Sequence, residues 1–107
     1  MAAASKLLAK LKPAAATPTT LYTVPAATET HVNLFAANQG AGVSLIRVAL
    51  LFSGGALAVT DYIMYDISMA VGTSINLTGI ALATGQRIII QSNTGDVSFV
   101  ATGIEIT

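Results

Sequence analysis

From Thr20 onward the sequence alternates with a period of two, and that patterning most limits the folds open to it. The stretch Leu21–Phe52, LYTVPAATETHVNLFAANQGAGVSLIRVALLF, shows it best. Two apolar runs rich in β-branched and aromatic residues, His31–Asn38 and Val43–Phe52, flank Gln39-Gly40-Ala41-Gly42. Runs of this length bounded by glycine read as the two arms of a β-hairpin. In the second arm Ile46, Val48, Leu50 and Phe52 point to one side, and Leu45, Arg47, Ala49 and Leu51 to the other. Both sides are largely apolar. One side is expected to close a core and the other, through Leu45, Arg47 and Leu51, to meet a neighbouring copy, most simply around a three-fold axis.

The rest of the body repeats the pattern in shorter pieces. Thr20–Val24 is a strand stopped by Pro25, and Ser53-Gly54-Gly55-Ala56 is a turn. Tyr62–Ile67, Ser74–Thr78, Gln86–Asn93 and Val97–Thr107 follow as strands, separated by Gly72, the loop Gly79–Gly85 and the turn Asn93-Thr94-Gly95-Asp96. Gly103 inside the last run suggests a bulge. Seven short strands with turn signals about every 8 to 12 residues predict an all-β fold, an antiparallel sandwich of Ig-like or jelly-roll-like type spanning residues 20–107.

Residues 1–19 read differently. Ala4, Leu7, Leu8 and Leu11 recur at helical spacing with Lys6 and Lys10 opposite, so Ala2–Lys12 is expected to form a short helix that orders only when docked. Pro13 ends it, and residues 13–19 (PAAATPT) form an extended linker. Three of the five cations, Lys6, Lys10 and Lys12, lie here, whereas the chain from Thr19 onward carries a formal charge of −3. The lysines also interrupt the uninterrupted apolar core that a signal peptide requires, so the arm reads as part of the mature chain. Lys6, Leu7, Leu8, Lys10 and Leu11 are its candidate partner-binding residues.

Composition says what such a body needs. Hydrophobic residues make up 53% of the 107 and charged residues 9%, against roughly 25% charged in an average soluble domain. A domain so poor in charge has little repulsion between copies. No run is long and apolar enough for a membrane helix, which leaves a surface covered by partners. There is no cysteine, and so no thiolate nucleophile or cysteine-based zinc site. His31, the single histidine, has Glu29 nearby but no second histidine. Asp61 and Asp66 flank a short strand without the shaped oxygen-rich loop that calcium takes. Gly40-Ala41-Gly42 lacks the helix of a phosphate loop. The aromatic residues have no basic interleaving that would make a nucleic-acid platform. The reading is a protein that is not an enzyme, with no catalytic, metal or cofactor site, and no nucleic-acid or membrane partner.

The order LYTVPA, IRVAL, DYIMYD, LTGIAL and SNTGDVSF…GIEIT resembles a family of small β-sandwich proteins from the virions of tailed bacteriophages. The resemblance covers Thr20–Thr107 and leaves the basic arm outside. It implies a non-enzymatic virion component, often trimeric, that packs against itself and against the major capsid protein or other virion proteins. A head decoration (cement) protein is the favoured role. A tail, neck or tail-fibre component is the alternative, and a carbohydrate-binding module for host attachment comes third. Where similar sequences often carry a glycine-lysine turn after LYTVPA, this chain has Ala27-Thr28.

Overall fold

Each of the period-two runs becomes a strand. In the computed structural model, which describes residues 2–107, the strands are β1 (Ala3–Leu11), β2 (Thr19–Thr23), β3 (Glu29–Asn38), β4 (Ser44–Leu51), β5 (Tyr62–Met69), β6 (Ser74–Leu82), β7 (Arg87–Ser92) and β8 (Val97–Ile106). A single 3₁₀ turn, Val59–Asp61, precedes β5. Two four-stranded sheets result, with orders β1-β8-β3-β6 (sheet A) and β2-β7-β4-β5 (sheet B), every pair antiparallel. Strand 1 pairs with 8, 2 with 7, 3 with 6 and 4 with 5. The chain is a long ribbon doubled at the β4–β5 connection and rolled into two layers, which is the strand order of a jelly roll.

The core lies between the layers. Val32, Leu34 and Ala36 of β3 face Ile46 and Val48 of β4, with Ile88 and Ile90 of β7 and Val97, Phe99 and Ala101 of β8 completing the cluster. Phe99 is fully enclosed. A void of about 10 Å³ beside it is lined mainly by apolar residues, among them Leu34, Ile46, Val48, Met64 and Leu77, with Asn76 also at its wall.

Four local expectations are corrected. First, β3 and β4 are not a hairpin. Each is a central strand with both edges paired, β3 to β6 and β8, β4 to β5 and β7, in different sheets. Gly40 and Gly42 lack the positive φ that a two-residue hairpin turn requires. The connection is an arch between layers, fixed by the buried Asn38. Its amide donates to Gly42 O and Met69 O, both at 3.0 Å, and its carbonyl accepts from Gly40 N–H at 3.0 Å.

Second, Ala3–Leu11 is a strand rather than a helix. Alanine, leucine and lysine favour helix, yet a propensity of a few tenths of a kcal/mol per residue yields to the ladder offered by β8. The register runs from Ala3↔Ile106 to Leu11↔Phe99 with a bulge at Leu8. The expected arm is therefore the eighth strand, an edge of sheet A, joined to the body without an independent element; Met1 lies outside the described residues.

Third, the loop expected at Gly79 is a bulge inside β6. Val32 pairs with Ile80 and Leu34 with Leu77, so β6 spends one extra residue there, at Gly79 with φ 80°. Fourth, Gly103 is not a bulge, because the β3–β8 register passes through Val32↔Gly103 unbroken. A Cβ at Gly103 would overlap the carbonyl oxygen of His31, so glycine is there for close backbone approach.

Candidate functional site

The second apolar side of β4 is the natural place to look for a contact surface. Its alternation places Ala49 and Leu51 on the face of sheet B turned away from sheet A. There they form a small second cluster with Ile89, against which Tyr62 packs. Much of that face is covered by the chain itself. The connection from Phe52 to Asp61 is tied back by Arg87, whose Nη2 donates to Gly55 O, and by Asp61, whose carboxylate accepts the Ala58 N–H at 2.8 Å. Leu51, expected to meet a partner, is 4% exposed and belongs to this cluster. Its alternation marked it as outward-facing, but only tertiary structure shows what covers it.

Leu45 and Arg47 do reach solvent on this face. Arg47 grips Asp66 through Nε–Oδ1 at 2.7 Å and Nη2–Oδ2 at 3.2 Å, and its guanidinium lies 4.0 Å from the Tyr65 ring centre. Asp66 sits at φ 51°, in a bulge that lets β5 pass Arg47. The hydrogen bond with Asp66 raises the Arg47 pKa, and the same bond holds the Asp66 carboxyl below its ordinary value. Tyr62 and Tyr65 are brought together, with centroids 5.0 Å apart at 80°. The rings are perpendicular and Arg47 lies over one of them. They offer no flat platform for a sugar ring to stack on.

The exposed apolar side chains concentrate on the segment that covers sheet B and on the strand that follows it. Phe52 is 78% and Val59 87% exposed, and Leu57, Ile63, Tyr65 and Ile67 extend the series along residues 52–67. The sequence marks Ser53–Ala56 as a turn and nothing more. The hydrophobic residues on both sides of the glycines were the available signal. β5 is an edge strand, but two register shifts against β4 break its ladder. Such bulges blunt an edge against strand addition, so this surface suits side-chain contact.

The arm residues are distributed around β1. Leu7 and Leu11 are exposed, Leu8 is half-buried against the core, and Lys10 faces solvent. Lys6 joins a polar latch that the sequence did not suggest: Nζ lies 2.5 Å from Glu105 Oε1, while Tyr22 Oη donates to Glu105 Oε2 at 2.5 Å. Tyr22 Oη also shares a 3.0 Å hydrogen bond with the buried Thr30 hydroxyl. Four strands, β1, β8, β2 and β3, are thereby tied across the two sheets. Lys6 first, then the Tyr22 hydroxyl, hold the Glu105 carboxyl below its ordinary pKa. Burial first, then the bond to Glu105, push the Tyr22 phenol up to about 12.

Comparison with known protein families, curated proteins and solved structures finds no match to this chain. Among the described residues, no group of three or more His, Asp or Glu side chains is placed to hold a metal ion. Among the same residues no helix is long and apolar enough to cross a membrane. A surface cleft of about 360 Å³ between Ala27–Glu29, Ala83–Thr84 and Ile106–Thr107 has Glu29 as its one acidic side chain.

Proposed function

We propose that this chain is a non-enzymatic structural subunit of a virion, a decoration protein that covers and stabilises a capsid shell by packing against copies of itself and against shell subunits. The observation that carries the reading is the run of exposed apolar side chains along residues 52–67, on a protein with 9% charged residues. Exposed apolar surface of this kind marks a contact surface. The jelly-roll strand order supports it by analogy, since that architecture recurs in capsid subunits, although it also serves lectins and cupins. The perpendicular Tyr62–Tyr65 pair weighs against the carbohydrate-binding alternative.

Self-association is measured by sedimentation over a concentration series. The wild type should associate. The double variant Phe52→Asp/Val59→Asp should stay folded and need about tenfold or more higher concentration to do so. A monomeric wild type at assembly concentrations, without any partner, removes self-packing from the proposal. The position of the chain in averaged particles tests the role itself: a lattice repeat supports decoration, a few copies on the tail axis replaces it with the neck or tail reading, and absence from particles refutes both.

A further inference from the structure

We infer that β1 is an exchangeable strand, able to leave the β8 of its own chain and pair in the same register with the β8 of a second copy. The inference rests on how β1 is held and on the linker behind it. It does not depend on the virion reading.

β1 is bound almost entirely by its edge. None of its nine residues is buried, and only Leu8 and Ala9 touch the main cluster, from its margin. The fully buried core side chains all come from β2 onward, so the other seven strands enclose the core without it. What β1 supplies is the backbone ladder from Ala3↔Ile106 to Leu11↔Phe99 and the Lys6–Glu105 pair. A second copy presents an identical β8 edge with the same Glu105, so exchange preserves every one of these contacts. A second copy is for that reason the occupant the edge fits, and exchange of identical elements is a low-cost route to oligomers.

The linker gives the exchange a direction. Residues 12–18 carry the chain from sheet A to sheet B through a tight turn in which Thr17 N–H donates to Ala14 O at 3.3 Å and Ala16 N–H donates to Ser92 O at 2.7 Å. Ala16, the third residue of that turn, sits at φ 54°, where a Cβ is disfavoured and glycine is the usual occupant. A short connection under strain favours the open form in which it straightens. Pro13 and Pro18 on either side keep the straightened linker extended.

The test uses the full chain, which has no native cysteine. Leu7 faces Thr102 across the β1–β8 ladder. Leu7→Cys chains and Thr102→Cys chains are mixed in urea, refolded together at a series of concentrations and oxidised. Refolding together removes the barrier to exchange, and thermal unfolding confirms that each variant folds. The expected result is a disulfide-linked pair of unlike chains that exceeds either like pair and grows with concentration. Introducing Ala16→Gly into both chains should lower its yield about fivefold, the factor that 1 kcal/mol of relieved strain represents. Unlike pairs no more frequent than like pairs would overturn the inference, and a yield that ignores Ala16→Gly would overturn the part assigned to the linker.

Discussion

Replacing Gly103 by alanine separates two forces that act in opposite directions. In a strand interior alanine is intrinsically favoured over glycine by about 0.5–1 kcal/mol, through reduced freedom of the unfolded chain. Against this stands the carbonyl of His31. A Cβ at position 103 would overlap that oxygen, lie 3.0 Å from the His31 carbonyl carbon and 3.2 Å from Val32 Cα. These are backbone atoms of the central strand β3, and no rotamer change moves them. To admit the methyl group β3 and β8 must separate locally, which costs about 1–3 kcal/mol of overpacking strain and one or two ladder hydrogen bonds at about 1 kcal/mol each. The net loss is about 1–4.5 kcal/mol, a sizeable share of the 5–15 kcal/mol typical of a whole domain. Urea unfolding reads it directly: the midpoint should fall while the slope stays constant. Gly42→Ala is the matched control, since nothing lies within 4 Å of a Cβ there and the backbone is not left-handed. It should be neutral or slightly stabilising. A Gly103→Ala variant within about 0.5 kcal/mol of wild type, the range of ordinary surface substitutions, would refute the reasoning.

Other outcomes follow from the latch, the first turn and the covering segment. Glu105 has a lowered folded pKa, so its contribution is present above the unfolded value of roughly 4.3 and lost as pH falls through the folded value; urea unfolding from pH 6 to 2 should lose that dependence in Glu105→Gln. Tyr22 runs the other way, its contribution present below pH 10.0 and lost as pH rises towards about 12, a limb that Tyr22→Phe should remove. Ala27 has φ 53°; Ala27→Gly should raise the melting temperature, since relief of about 1–2 kcal/mol exceeds the entropic cost of about 0.5–1 kcal/mol. Arg87→Ala should release the 52–61 segment, which Arg87 of β7 holds through Gly55 O, seen as faster proteolysis within that segment before any global unfolding.

The strands were legible because a half-buried strand writes its faces into alternate residues, as Ile46, Val48 and Ile88, Ile90 do. The sheet each strand joins was not legible. A hairpin and an arch between layers use the same alternation, and the four residues after Asn38 carry glycines in both cases. The difference lies in the backbone angles of Gly40 and Gly42 and in the side-chain bonds of Asn38. β1 was hidden for another reason. Its sequence favours helix locally, and only the edge of β8, far along the chain, makes it a strand. Of the candidate partner-binding residues, Leu45, Leu7 and Leu11 are exposed, while Leu51 is enclosed by neighbours that no spacing rule names. The Lys6–Glu105–Tyr22–Thr30 latch joins residues from both ends of the sequence. No local pattern marks such a group.

Rolling a doubled ribbon also orders events in time. Among the described residues, β4 and β5 are the only consecutive strands that share a ladder; every other pairing waits for a partner from a later part of the chain. Loop-closure entropy makes such distant pairings slow, and folding rates fall as contacts become less local. The chain should therefore assemble outward from the β4–β5 bend, adding β7 to β4 and β6 to β3, with β8 closing sheet A and β1 docking last. During synthesis β1 emerges well before β8 and must wait for it, while β3, once β6 has paired with it, keeps its other edge bare. A ribosome-bound chain lacking Val97–Ile106 has all its sheet B strands but lacks the strand that joins β1 to β3 in sheet A, and at that stage the uncovered edge of β3 is open to pairing with the wrong neighbour.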